Sequence, residues 1–173
     1  MLEFFSHLNS LHPLSAEATT ALMKVIRPKE LRRGQVWLQE GAVCDKLTFI
    51  IKGLVKLYFE AGSKEVVLSI ARENECILSA QSYFEQLSSS YSIRSVEQSV
   101  IVFILRNDLL HLVSKYPELN SHLKVIAHQQ AIQHEYHSGL LMLAPRERFE
   151  KLATNCTGMI DGRRIRDRLL AGC

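Results

Sequence analysis

The sequence predicts an α+β protein in which an antiparallel barrel or jelly roll is flanked by helices and followed by one long helix. Three observations carry this. Between Lys29 and Arg106 the chain reads as short strand-like runs separated by turn residues. One helix-like stretch, Asn74 to Ile93, interrupts that series, and beyond Pro117 apolar residues recur at three-and-four spacing for about 27 residues. Short strands at this spacing favour an antiparallel arrangement over a parallel sheet, which needs a long crossover between neighbours.

Composition sets the outer bounds. A chain of 173 residues with 47% apolar and 23% charged residues can bury a real core, and its length suggests one domain with a small appendage. No apolar run approaches the roughly 18 residues that span a bilayer, and MLEFFSHLNSLHP lacks the basic start and apolar centre of a secretory leader. The expectation is a cytoplasmic protein with no membrane partner. Cys44, Cys76, Cys156 and Cys173 are scattered, with no spacing suited to zinc or an iron–sulfur cluster, so they are expected to be reduced thiols. The net charge of +3 is unevenly placed. Residues 144–173 carry seven basic and four acidic side chains, whereas the rest of the chain holds fourteen of each, so any contact with a polyanion is expected in the tail.

In chain order, Ser15 is placed to cap a helix through Leu22, Val25 and Ile26 that Pro28 stops. Strands are then predicted in LRRGQVWLQEG, KLTFIIKG, LVKLYFEAG, KEVVLSIA, YSIRSVE and SVIVFILR, with period-two alternation at Val55, Leu57 and Phe59 and again at Val66, Leu68 and Ile70. Within the interrupting stretch, Ile77, Tyr83, Phe84 and Leu87 suit a short amphipathic turn of helix, followed by a polar loop at Ser88, Ser89 and Ser90. A helix start followed by hydroxyls is a candidate cradle for a small anion or polar ligand. Asn107 is predicted to cap DLLHLVSKY. Pro117 is predicted to open the long helix, which reaches about Leu143. A helix of that length extends about 40 Å, more than a small barrel covers. Its stripe of Leu119, Leu123, Ile126, Ile132, Tyr136 and Leu140, with Gln130 as a polar register mark, is therefore expected to pair with a second copy of the chain. Pro145 breaks this helix, RERFEKLA begins another, and the remainder is expected to order only with a partner.

The strand run LRRGQVWLQEGAVCDKLTFIIKGLVKLYF, the EVVLSI strand, the interrupting helix and the long trailing helix together resemble the regulatory part of the CRP/FNR family of bacterial transcription factors, from about Leu14 to Ala153. The resemblance implies a cyclic-nucleotide-binding type of β-roll (a double-stranded β-helix or jelly roll) flanked by helices, then a dimerisation helix and a winged helix-turn-helix that reads DNA. It divides the chain into a sensor domain with its helix at 1–143 and, at 144–173, a linker helix with the truncated start of the DNA-binding domain. DNA is thus expected as a partner only where a complete helix-turn-helix is present, with weak nonspecific contact through Arg163, Arg164, Arg166 and Arg168.

The same resemblance locates the ligand pocket at Ile77, Leu78, Ser79, Ser82, Ser89, Ser90 and Tyr91, with His134, Glu135 and Tyr136 of the long helix as its lid. Members of the cyclic-AMP type have a Gly-Glu pair at the start of the short helix and, after it, an Arg followed by Ser or Thr. The carboxylate meets the ribose hydroxyl, and the guanidinium with the helix N–H groups meets the phosphate. Here Leu78 and Ser79 stand at the first pair and Ser89 and Ser90 at the second. Loss of the charge-assisted contact removes about 1.5–3 kcal/mol, ten- to a hundredfold in affinity. The expected pocket is neutral, hydroxyl-lined and partly apolar, a poor cyclic-nucleotide site that takes a different small ligand or none. No cofactor is implied.

Enzymatic readings fail on residue placement. A cupin metal site needs strand histidines, and no histidine falls between His12 and His111. His134 and His137 stand one turn apart on the long helix and read as a polar face rather than a metal pair. No P-loop or nucleophile elbow is present. The expectation is a homodimeric sensor module without catalysis or bound metal, the alternative being a dimeric interaction module that keeps the scaffold only.

Overall fold

The computed structural model describes residues 2–62 and 64–141, with side chains described for 4–62 and 64–132. Two helices come first, α1 (Leu2–Leu11) and α2 (Ala16–Val25). Eight strands follow: β1 (Arg27–Leu31), β2 (Val36–Leu38), β3 (Lys46–Lys52), β4 (Val55–Ala61), β5 (Lys64–Ala71), β6 (Cys76–Ile77), β7 (Ser92–Ser95) and β8 (Ser99–Leu105). A short helix α3 (Ala80–Glu85) lies between β6 and β7, and α4 (Arg106–Lys115) and α5 (Glu118–Leu141) close the series. All pairings are antiparallel, in two four-stranded sheets ordered β1-β8-β3-β6 and β2-β7-β4-β5. This is the predicted α+β roll.

The first sheet is covered on both faces, which explains why β3 and β8 read as nearly unbroken apolar runs. Toward the second sheet it presents Ile50 and Ile101, which meet Leu31, Val55, Ala71, Ile77 and Ile93. Toward the helices it presents Leu47, Phe49, Val102 and Ile104, which meet Phe4, Phe5 and Leu8 of α1, Leu22 of α2, Leu109 and Leu112 of α4, and Leu119 and Ile126 of α5. Trp37 of β2 joins the sheets by donating its indole N–H to the buried Thr48 hydroxyl at 2.9 Å. Gly53, at φ 105°, turns β3 into β4, and an ideal Cβ there would sit 2.4 Å from Ser99 Oγ. Only glycine fits both the angle and the approach.

Several boundaries differ from the sequence reading, each for a physical reason. Ser15 does cap α2, accepting the Ala18 N–H at 3.1 Å. Pro28, however, lies inside β1, where an edge strand tolerates the missing donor. Helix α1 escapes the sequence reading because its buried Phe4, Phe5 and Leu8 make a face barely two turns long. Asn107 is not the cap of α4. The helix runs straight off β8 with Leu105 as cap residue, and the Asp45 carbonyl accepts the Arg106 N–H at 2.8 Å. Ile77 belongs to β6, opposite Thr48, and not to the short helix.

The first half of α5 is seated on its own chain. Leu119 and Ile126 are 2% and 4% exposed within their own chain, and Leu123 packs against the same cluster. Gln130, expected as a polar register mark, donates to the Cys76 carbonyl of its own chain at 3.3 Å. Ile132, at 52% exposure, is the first stripe residue left open. The side chains of Tyr136 and Leu140 lie outside the described residues, as do residues 142–173 and hence Pro145, the linker helix and Arg163, Arg164, Arg166 and Arg168.

Candidate functional site

The site is built where β6 leaves the first sheet. β6 pairs with β3, Ile77 against Thr48 and Cys76 against Phe49, which delivers the chain to Leu78 and Ser79 at the base of α3. Ser79 is the cap residue of α3, yet its side chain makes no capping bond. After six residues Gln86 ends the helix in the left-handed conformation, φ 57° and ψ 33°, and its amide donates to the Tyr83 carbonyl at 2.8 Å. The serine loop then folds back on residues 41–44. Gly41 N–H donates to the Ser89 carbonyl at 2.8 Å, Ser89 N–H to the Ala42 carbonyl at 2.9 Å, and Val43 bridges Ser88.

The hydroxyls are engaged within this loop. Ser82 accepts the Cys44 N–H at 2.8 Å and donates to the Leu87 carbonyl. Ser89 Oγ lies 2.9 Å from Ser79 Oγ and 2.7 Å from the Tyr91 carbonyl, and accepts the Tyr91 N–H at 3.1 Å. Ser79 and Ser89 are both buried. Two of the serines expected to line the pocket, Ser79 and Ser89, therefore bond to each other. Among the described residues no buried side-chain nitrogen or oxygen lacks a hydrogen-bond partner.

The other predicted pocket residues scatter. Ile77 and Leu78 are core, Ile77 between the sheets and Leu78 in the helix-side cluster. Ser90 is exposed, and Tyr91 is half-buried with its ring 6.4 Å from that of Phe59. The lid residues His134, Glu135 and Tyr136 lie on the α5 backbone, and their side chains are outside the described residues. The anion cradle has little dipole behind it, since α3 is only six residues long. Arg94 pairs with Glu65 and lies over the Tyr58 ring at 4.6 Å, while Lys56 shares both contacts. Strand alternation separates that charge cluster from the buried Ile93.

Nearby thiols do not supply reactivity. Burial pushes Cys44 above its ordinary value and Cys76 up to about 12, and it raises the Tyr83 phenol to about 12. A thiol so shifted is not a nucleophile at neutral pH. Among the described residues no cluster of three His, Cys, Asp or Glu could hold a metal, and no helix is long and apolar enough to cross a membrane. The tie that sequence reasoning missed is Gln130 to Cys76. It fastens α5 to the strand that enters the site, and no local pattern marks it.

Comparison with known proteins agrees with this geometry. The family model of the cyclic nucleotide-binding domain matches residues 28–116. No curated protein matches the sequence. Among solved structures, the Catabolite Activator Protein of Thermus thermophilus is 20% identical with a TM-score of 0.62, covering 76% of this chain and 62% of its own. The cyclic-di-GMP-responsive global regulator CLP of Xanthomonas campestris is 17% identical with a TM-score of 0.67, covering 84% and 73%. The sensor domain of the transcriptional regulator DNR from Pseudomonas aeruginosa is 18% identical with a TM-score of 0.60, covering 74% and 91%. The chain thus spans under two thirds of the Thermus protein.

Proposed function

The chain belongs to the cyclic nucleotide-binding domain family, and from that premise we propose that it is the sensor and dimerisation part of a CRP/FNR-type transcription regulator whose pocket does not grip a cyclic phosphate in the cyclic-AMP manner. The observation that carries this reading is the buried Ser79–Ser89 hydrogen bond at the places of the ribose carboxylate and the phosphate guanidinium. A phosphate entering there would find serine where the family resemblance expects arginine, and would have to break a buried hydroxyl pair that is already satisfied. The fold tolerates other ligands, since the Xanthomonas neighbour of the same architecture is described as responding to cyclic di-GMP.

Signal transfer would run through Gln130. A ligand that prefers one placement of β6 and α3 shifts the Cys76 carbonyl, and the Gln130 bond passes that preference to α5. The proposed output is a change in how the distal half of α5 meets a second copy, which reorients whatever follows residue 143. Any DNA contact by Arg163, Arg164, Arg166 and Arg168 is proposed as weak and salt-sensitive.

Thermal shift with cyclic AMP and cyclic GMP tests the reading. A ligand at a hundred times its Kd adds about 2.7 kcal/mol, which for a chain of this size is about 5–10 °C. We expect less than about 1 °C at millimolar nucleotide. A full shift with cyclic AMP would overturn the proposal. The closed serine pair also favours a second reading, a dimeric interaction module that retains the scaffold without a ligand. That reading falls if any small molecule from a metabolite panel gives the full shift.

A further inference from the structure

His122 sits in the second turn of α5, 3% exposed, and acceptors surround its ring. Nδ1 lies 3.2 Å from the Glu118 carbonyl, one turn back on α5. Nε2 lies 3.1 Å from the Leu8 carbonyl and 3.0 Å from the His12 carbonyl, at the C-terminal end of α1. A neutral imidazole owns one N–H and one lone pair. In either tautomer, therefore, one ring nitrogen turns its lone pair on a carbonyl lone pair, away from water. Only the imidazolium donates at both nitrogens.

Burial opposes a charge on the ring, whereas the carbonyl end of α1 and the Glu118 carboxylate favour it. Leu8 carries one of the last four carbonyls of α1, the end of a helix that attracts a cation. The titratable groups facing the ring are few. From α1 comes His7, whose pKa is lowered by burial first and by the His122 charge second. From the turn after α1 comes His12, with ring centroids 6.0 Å apart. From α5 itself comes Glu118, held below the usual carboxylate range chiefly by its 2.7 Å bond from the Ser15 hydroxyl, with His122 as a smaller contributor. Ser15, the N-cap of α2, which bonds Glu118, is uncharged.

We propose that His122 is a proton-dependent latch, fastening the N-terminal helix to the root of α5 as an imidazolium and loosening that joint as the ring loses its proton. The joint matters because Phe4, Phe5 and Leu8 share one core with Leu119 and Ile126, so α1 helps to set how firmly α5 is seated on the roll. The device stands on these contacts alone, whether or not the chain regulates transcription. Its sign follows from linkage. A charge favoured in the folded state stabilises at low pH, and that stabilisation fades as pH rises.

Two measurements on the full chain test it. Long-range 1H–15N spectra of the histidine rings should show both His122 nitrogens protonated at pH 6 and one of them bare by pH 8.5. A ring that holds a single state from pH 5.5 to 9.5, whichever state it is, overturns the proposal. Urea unfolding of the wild type and His122→Gln at pH 6 and pH 8.5 then reads the joint. The ratio of their folding constants should fall as pH rises, by up to about tenfold per pH unit across the titration. His7 and His12 are present in both proteins, so their own titration largely cancels, and an unchanged ratio overturns the latch.

Discussion

Replacing Ser89 with alanine is the sharpest test of the closed serine pair. The substitution removes a hydroxyl that meets Ser79 Oγ at 2.9 Å, the Tyr91 carbonyl at 2.7 Å and the Tyr91 N–H at 3.1 Å. Tyr91 is half-buried and its backbone can turn to water, but Ser79 is 2% exposed and cannot. Stranding one buried polar group costs about 1–3 kcal/mol, so Ser89→Ala should lose roughly 2 kcal/mol. For a chain of this size that lowers Tm by about 4–8 °C. Trp37 is the sole tryptophan and is tied to the core through Thr48, so its fluorescence in urea reports global unfolding. The double variant Ser79→Ala/Ser89→Ala leaves neither hydroxyl stranded and should recover at least about 1 kcal/mol of the summed single losses. A loss below about 0.5 kcal/mol for Ser89→Ala, or strict additivity in the double variant, would mean that water already reaches the pair. The case against a phosphate at this position would then lose its footing.

Three further outcomes follow from single contacts. Gly53→Ala puts a methyl group 2.4 Å from Ser99 Oγ at φ 105° and should cost about 1–3 kcal/mol in urea unfolding, with Gly62→Ala, which has open space, costing less. Folded Cys76 and Tyr83 hold their protons up to about 12, against ordinary values of 9.0 and 10.0, so the unfolded chain ionises first as pH rises. These two groups should add no slope below about pH 8 and should then lower stability, by up to about 1.4 kcal/mol per pH unit per group. Urea midpoints from pH 8 to 10.5 measure this, and Cys76→Val should flatten the curve. Gln130→Ala removes the bond to the Cys76 carbonyl, and hydrogen exchange should show faster opening of the central turns of α5 with a global loss of only about 0.5–1.5 kcal/mol.

How much of this was legible in the sequence depends on the range of the cause. β4 and β5 show because their alternation is local, and β3 and β8 show because burial on two faces makes them uniformly apolar. The match of the cyclic nucleotide-binding domain to residues 28–116 bears out a resemblance that rested on the order of these elements. The start of α4 was not legible, because the Arg106 N–H is satisfied by a carbonyl some sixty residues upstream rather than by a neighbouring Asn. At the site, the sequence shows serines at positions 79 and 89. It does not show that they join, since two serines ten residues apart have no pattern that announces a mutual bond.

The stripe on α5 marks where periodicity stops deciding. A helix lying on its own roll and a helix in a two-chain seam both need apolar residues at three-and-four spacing, and the two periods drift apart by only about 20° per heptad. Over 24 residues that drift is too small to separate them. The decision comes from what covers each turn. The core beneath α1 and α4 holds Leu119, Leu123 and Ile126, whereas Ile132 is exposed among the described residues. Dimerisation must therefore be sought from Ile132 onward, and two substitutions six residues apart should have opposite signatures. Ile126→Ala should cost about 2–5 kcal/mol in unfolding, by opening a cavity in the monomer's own core, with no direct loss of a partner contact. Ile132→Asp should leave the fold within about 0.5 kcal/mol of the wild type, as exposed substitutions do. It should nevertheless convert a dimer to a monomer in size-exclusion light scattering at micromolar concentration, because a carboxylate buried in an apolar seam has no partner. Should Ile132→Asp remain dimeric, or the wild type elute as a monomer, the distal half of α5 is not the seam.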